Sequence, residues 1–189
     1  MAPVLLPQIL KESGVEGARL GFVTEQGGKL TWAGYTLTYA QNTVRNLEKA
    51  GYKIYISLGG LNGAFPGESD IAPEAIYHKF MQIHKQYPRS SLCFDIEQPH
   101  LESNRPQLDK IMAAAVRLQK ETAVEIILTL RVLPEGLVPG FGLNVLHAAH
   151  DSGLVFKVNI MAMDYGPSYT QKSMGDYGIE AAITTAKQI

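Results

Sequence analysis

Strand-like apolar runs alternate with segments of helical period along nearly the whole chain, and this rhythm limits the fold more than any other feature of the sequence. Ala18–Val23, Lys53–Ser57, Ser91–Glu97, Val124–Leu130 and Phe156–Met163 read as strands. Helical spacing separates them: Ile76, Phe80, Ile83 and Tyr87 lie between Pro73 and Pro88, and Leu108, Met112, Ala115 and Leu118 follow a capping Asn104. Ala40, Val44 and Leu47 precede Gly51, Leu6, Ile9 and Leu10 precede Gly14, and Ile179, Ala182, Ile183 and Ala186 follow Asp176. Strands that alternate with helices predict an α/β fold with a parallel sheet and right-handed crossovers, its functional residues at the strand carboxyl ends. A doubly wound sheet and a (β/α)8 barrel both satisfy this pattern, and periodicity does not choose between them.

Composition narrows the functional classes. With 46% hydrophobic and 19% charged residues, the 189-residue chain reads as one globular domain. Seventeen Lys and Arg stand against eighteen Asp and Glu, without a basic run, which argues against nucleic acid or an anionic membrane surface as partner. No apolar stretch nears the roughly 20 residues that span a bilayer, and Met1–Pro7 lacks the charged start and long apolar core of a signal peptide. Cys93 is the single cysteine, so an intrachain disulfide and thiolate metal clusters are excluded. Neither His147 with His150 nor His78 with His84 has the carboxylates or thiols that would complete a metal site. Gly59–Gly63 is not a phosphate loop, because no Lys-Ser/Thr pair follows it. Neither a metal nor a cofactor is expected.

Within Ser91–Glu97, alternation puts Cys93, Asp95 and Glu97 on one face and Leu92, Phe94 and Ile96 on the other. With the apolar face under helices, two carboxylates about 6.6 Å apart point into a barrel interior or crevice, where desolvation and repulsion keep one of them protonated near neutral pH. A proton donor beside an anion is acid–base hardware. Taken alone, an Asp-x-Glu pair also fits neutralisation by buried cations, or the end of an exposed strand.

Other segments add to this one. Ser57-Leu58-Gly59-Gly60 ends one strand, Met161-Ala162-Met163-Asp164-Tyr165 ends another, and Trp32–Tyr35 and Thr129–Pro134 lie between the same elements. In this order the segments resemble motifs of glycoside hydrolase family 18, the chitinases. Phe94–Glu97 is similar to the end of the D-x-x-D-x-D-x-E signature, and the first two segments to the S-x-G-G and M-x-M-D-Y motifs of the third and sixth strands. Trp32–Tyr35 and Thr129–Pro134 resemble the bacterial chitinase-D-like branch. The resemblance implies a TIM (β/α)8-type barrel that hydrolyses β-1,4 bonds in chitin or N-acetylglucosamine oligosaccharides with retention. Glu97 would then protonate the glycosidic oxygen. Asp95 would orient the substrate's N-acetyl group, whose carbonyl oxygen attacks the anomeric carbon in place of an enzyme nucleophile. Met161, Met163, Asp164 and Tyr165 would line the sugar pocket, Ser57, Gly59 and Gly60 would shape the barrel floor, and Cys93 occupies the place of the signature's middle Asp. The resemblance further implies a secreted protein.

Four positions depart from the family pattern, the loosest being Ser90 at the place of the signature's first Asp. Cys93 replaces an Asp that normally exchanges a proton with the residue at the Asp95 position, and Met163 stands where many members carry a tyrosine. Arg131 stands where the related branch has proline, as a cation able to pair with Glu97 or Asp95 and lower its pKa. These departures favour the alternative of a catalytically weak or inactive chitinase-like protein that binds glycans. One more helix follows Asp164, and Met1–Leu5 stands where a first strand belongs. Residues 1–189 are therefore expected to form a single, partial family 18 catalytic domain of about five or six βα units, the last two missing. Trp32 is a candidate sugar platform, although an isolated aromatic more often plugs a local gap. An incomplete barrel leaves the strand ending at Met163 with unpaired backbone groups, which predicts self-association through that edge.

Overall fold

The structure, a computed structural model, describes residues 5–189, so the first-strand position expected at Met1–Leu5 lies outside them except for Leu5, where a helix begins. The elements are α1 (Leu5–Glu12), β1 (Gly17–Gln26), β2 (Lys29–Trp32), β3 (Tyr35–Thr36), α2 (Gln41–Lys49), β4 (Lys53–Gly59), α3 (Pro73–Gln86) and β5 (Ser91–Asp95). They continue with α4 (Pro99–Glu102), α5 (Arg105–Thr122), β6 (Ile126–Leu133), β7 (Gly136–Leu137), α6 (Gly142–Asp151), β8 (Phe156–Met161) and α7 (Met174–Ala186). Strands β1, β4, β5, β6 and β8 pair in parallel in that order. The β2–β3 ribbon extends β1 antiparallel, and β7 folds back on the end of β6. Among the described residues β8 pairs only with β6, so the wall of the expected barrel is open on that side.

Alternation along the strands explains the layering. Ile54, Ile56 and Leu58 of β4 and Leu92 and Phe94 of β5 are buried in the core with Ile76, Phe80 and Ile83 of α3 and Leu108, Met112 and Leu118 of α5. Phe94 sits 5.1 Å from the Phe80 ring and 5.3 Å from that of Phe65, centroid to centroid. The caps read from the sequence hold these helices: Pro73 opens α3, and the Asn104 side chain accepts from Gln107 N at 3.2 Å. The opposite strand positions, Ser57, Cys93, Asp95, Thr129 and Asn159, give the sheet a polar concave face whose upper end is the carboxyl end of every parallel strand.

Several boundaries differ from expectation. β5 stops at Asp95 and β8 at Met161, so Glu97 and Met163 lie on the segments that leave the sheet. Ser173, not Asp176, caps α7: its Oγ accepts from Asp176 N at 3.1 Å, and the Asp176 carboxylate returns to the Ser173 N–H in a capping box. The face that α7 buries is Tyr177, Ala181 and Thr185, while Ile179 and Ile183 are 61% and 53% exposed. Tyr177 decides this rotation, because its ring joins Tyr165 and Tyr169 in one aromatic cluster. Trp32 belongs to β2 and is buried against Tyr87, with ring centroids 5.6 Å apart, so it plugs the core and offers no face to a sugar.

Candidate active site

Backbone hydrogen bonds and two glycines build the site at the carboxyl ends of β4 and β5. Asp95 O accepts from Gly60 N at 2.9 Å. Gly59 has φ +92°, and a Cβ there would lie 2.4 Å from Asp95 O, so only glycine allows the two chains to approach this closely. A Cβ on Gly60 would meet the Phe22 ring at 2.9 Å. Gln98, just past Glu97, donates from Nε2 to the carbonyls of Gly60 at 2.7 Å and Gly63 at 2.5 Å, which ties the loop after β4 to the segment after β5. What remains open is a cleft of about 530 Å³ walled by Phe22, Thr24 and Glu25 of β1, the loop from Gly59 to Ala64, and Glu97.

Glu97 is half-buried on the cleft wall, and Asp95, two positions earlier, is buried. Asp95 stands in register between Gly59 and Thr129, with Asn159 beyond. Burial is the main reason its carboxyl is pushed up to about 7; the neighbouring Glu97 adds to this, and Arg19 and Arg131 oppose it. Asp95 Oδ1 has no hydrogen-bond partner among the described residues. Cys93 is fully buried, and burial, opposed by the Arg19 guanidinium, pushes its thiol up to about 11. It is a neutral thiol near pH 7, unsuited to nucleophilic attack.

Arg131 makes contacts that differ from the expected pairing with Glu97 or Asp95 side chains. Its Nη2 donates to the main-chain carbonyl of Glu97, and its Nε lies 3.4 Å from Glu102 Oε2. Glu102 is completely buried, and burial, opposed by Arg131, pushes its carboxyl up to about 7. Sequence reasoning missed Glu102 because α4 is a single turn with no periodicity to read. Only the turn at Pro99 brings this side chain back toward β6.

The remaining candidates spread along the concave face. Ser57 is fully buried in register with Cys93, and its Oγ lacks a partner among the described residues. Met161 is half-buried and in register with Arg131. Met163 is 61% exposed, and Asp164 is exposed with φ +52°. Tyr165 is buried, its ring 5.8 Å from that of Tyr169 and 6.1 Å from that of Tyr177. The structure thus gathers Gly59, Gly60 and Glu97 at the cleft, buries Asp95 beside Gly59 in register, and sets Ser57 and Cys93 one step deeper on the same face. Met161 to Tyr165 lie off the cleft wall, on the far side of β6.

No family model matches the chain. It is 30% identical over 178 residues to endochitinase 11 of Metarhizium anisopliae, covering 89% of this chain and 34% of that protein. To the probable bifunctional chitinase/lysozyme of Escherichia coli (strain K12) it is 29% identical over 181 residues, 89% of this chain and 20% of that one. The chain therefore spans about a third and a fifth of the length of these curated relatives. Among solved structures, active domain 2 of the thermostable chitinase from Pyrococcus furiosus, as catalytic site mutants complexed with chito-oligosaccharides, superposes with TM-score 0.80 and 24% identity. That match covers all of this chain and 60% of the other. In sequence the chain is similar to these chitinases over part of their length, and its open α/β sheet has the fold of the Pyrococcus chitinase domain.

Proposed function

We propose that this chain contributes the acid–base half of a site that hydrolyses β-1,4 bonds between N-acetylglucosamine units, by the retaining, substrate-assisted route. Glu97 donates its proton to the glycosidic oxygen as the C–O bond breaks. The carbonyl oxygen of the sugar's own acetamido group closes on the anomeric carbon, with Asp95 accepting from the acetamido N–H to hold it in line. Water then opens the cyclic intermediate from the same face as the departed sugar, and Glu97, now a base, takes its proton back. The two inversions give net retention.

One observation carries this reading: a half-buried carboxyl, Glu97, faces the cleft, close in sequence to a buried one, Asp95, that burial pushes up to about 7. The relatives' names support the substrate class, as do the chito-oligosaccharides bound by the Pyrococcus protein. The same reading takes the chain as part of a family 18 barrel of the chitinase-D-like branch. Release of product from a fluorogenic chitooligosaccharide tests it. Glu97→Gln should lower turnover on the order of 10²- to 10⁴-fold, and equal rates in both chains would remove Glu97 from the reaction.

Cys93 favours a second reading, a chitinase-like glycan binder without turnover. Where the family's middle Asp would exchange a proton with Asp95, this thiol holds its own proton up to about pH 11. Calorimetric binding of chitooligosaccharide without product release would select that reading.

A further inference from the structure

We propose that Glu102 is a positioning residue of this site: through Arg131 it anchors the main chain at Glu97 to β6 and neutralises the cation that β6 presents to the two carboxylates. The inference rests on Asp95 and Glu97 being the acid pair.

The geometry of Glu102 is fixed from three sides. Its backbone N–H donates to Gln98 O at 2.9 Å, its carbonyl accepts from Asn144 Nδ2 of α6 at 3.2 Å, and its side chain is fully buried. The carboxylate then has one charged neighbour within reach, Arg131 Nε at 3.4 Å. A guanidinium is a rigid fork, so an ion pair at Nε restrains where Nη2 points, which here is the main-chain carbonyl of Glu97, while both Glu102 carboxylate oxygens remain without a hydrogen-bond partner among the described residues. Stability alone does not account for such a pair, since two apolar side chains of similar volume would serve the core as well or better. The titratable and charged groups facing the site are Arg19 from β1, the neutral thiol of Cys93 and Asp95 from β5, Glu97 beyond it, Arg131 from β6 and Glu102 from α4; α6 presents the neutral Asn144.

The signs of the effects follow. Above about pH 7, where the Glu102 carboxyl is ionised, Glu102→Gln leaves Arg131 uncompensated, which favours the ionised form of Asp95 and moves its titration midpoint down, by about one pH unit. Arg131→Leu removes a cation and moves the midpoint up. Glu102→Leu with Arg131→Leu removes both members of the pair, whose charges cancel once Glu102 is ionised, so the midpoint stays nearer that of the parent than in either single variant, while Glu97 has lost its anchor and turnover stays low. A merely structural role gives no such opposition of signs.

Carbon-13 NMR titration of the Asp95 carboxyl in the 189-residue chain and these three variants is the test, with pH–rate profiles on the fluorogenic chitooligosaccharide beside it. Opposite displacements in the single variants, a midpoint near the parent's in the double, and kcat falling more than KM rises support the assignment. Midpoints unmoved or moved the same way in both single variants overturn it, as does a double variant displaced as far as either single one. If one single variant fails to fold, the other decides by sign: a midpoint moved down in Glu102→Gln or up in Arg131→Leu supports the assignment, and an unmoved or oppositely moved one overturns it. Because the titration needs no turnover, a parent chain without activity ends the hydrolytic reading while the NMR result still judges Glu102.

Discussion

Replacing Asp95 by Asn should make the protein more stable above neutral pH while abolishing the proposed chemistry. The carboxyl moves from an ordinary value of 3.8 to about 7 on folding, chiefly because it is buried. Between those two values the native state binds a proton that the unfolded chain has released, so stability is full below about pH 4 and is lost as pH rises through 7. A displacement of about three pH units at roughly 1.36 kcal/mol each sets the size of the loss on the order of 4 kcal/mol, an appreciable part of the 5–15 kcal/mol typical of a domain. Asn has the same shape and no charge, so the two chains should be nearly equal at pH 4 and differ by up to that amount at pH 9, the variant being the more stable. Guanidinium unfolding followed by circular dichroism across this range measures it, with a constant m-value certifying that only stability has changed. His84, lowered by burial, contributes the opposite slope, stability rising with pH, but it is common to both chains and cancels in the difference. A difference independent of pH would refute the argument, because it would mean that Asp95 titrates alike in the folded and unfolded chains.

Three further outcomes follow from other parts of the structure. Phe94→Ala removes a fully buried ring packed on Phe65 and Phe80, and should cost about 3–5 kcal/mol in the same unfolding assay. Cys93→Asp restores a proton partner for Asp95 and should raise kcat on the chitooligosaccharide more than it changes KM; an unchanged rate would place the limit elsewhere. The β8 edge should drive self-association, so light scattering should find species larger than the monomer, and a cooperatively melting monomer that binds no hydrophobic dye would count against it.

The order of strands and helices was legible because each carries its own period. The hairpin of β2 and β3 was not, since a four-residue and a two-residue strand are too short for alternation to register, and their only local signals are the turns at Gly27-Gly28 and Ala33-Gly34. Asp95 and Glu97 could be read as a pair because they share one strand parity. Glu102 could not, because its partner Arg131 is brought to it by the register between β5 and β6, and long-range register leaves no trace in local spacing. The rotation of α7 was misread for a related reason: the larger residues Ile179 and Ile183 outweigh Ala181 and Thr185 in any count of hydrophobicity, yet small side chains are what allow a helix to lie close against a sheet.

Two treatments of buried carboxylates in one molecule separate framework from chemistry. Glu25, on the cleft wall, and Asp70 share Lys79, at 2.6 and 2.7 Å, and Glu25 also accepts from Gly67 N at 2.8 Å. Contacts of this kind satisfy the carboxylate and brace the wall. Asp95 and Glu102 are at least as deeply buried, yet the cations near them, Arg19 and Arg131, fall short of offsetting burial, and both carboxyls rise to about 7. Pairing with a lysine would have offset that burial; without it, a proton can be gained or lost at little cost near neutral pH. Since the same fold shows that it can pair a buried carboxylate well, the poor pairing at the carboxyl end of β5 is a property of that location. Asp95 Oδ1 and, one step deeper on the same face, Ser57 Oγ lack hydrogen-bond partners among the described residues, so the deficit extends beyond the charged groups.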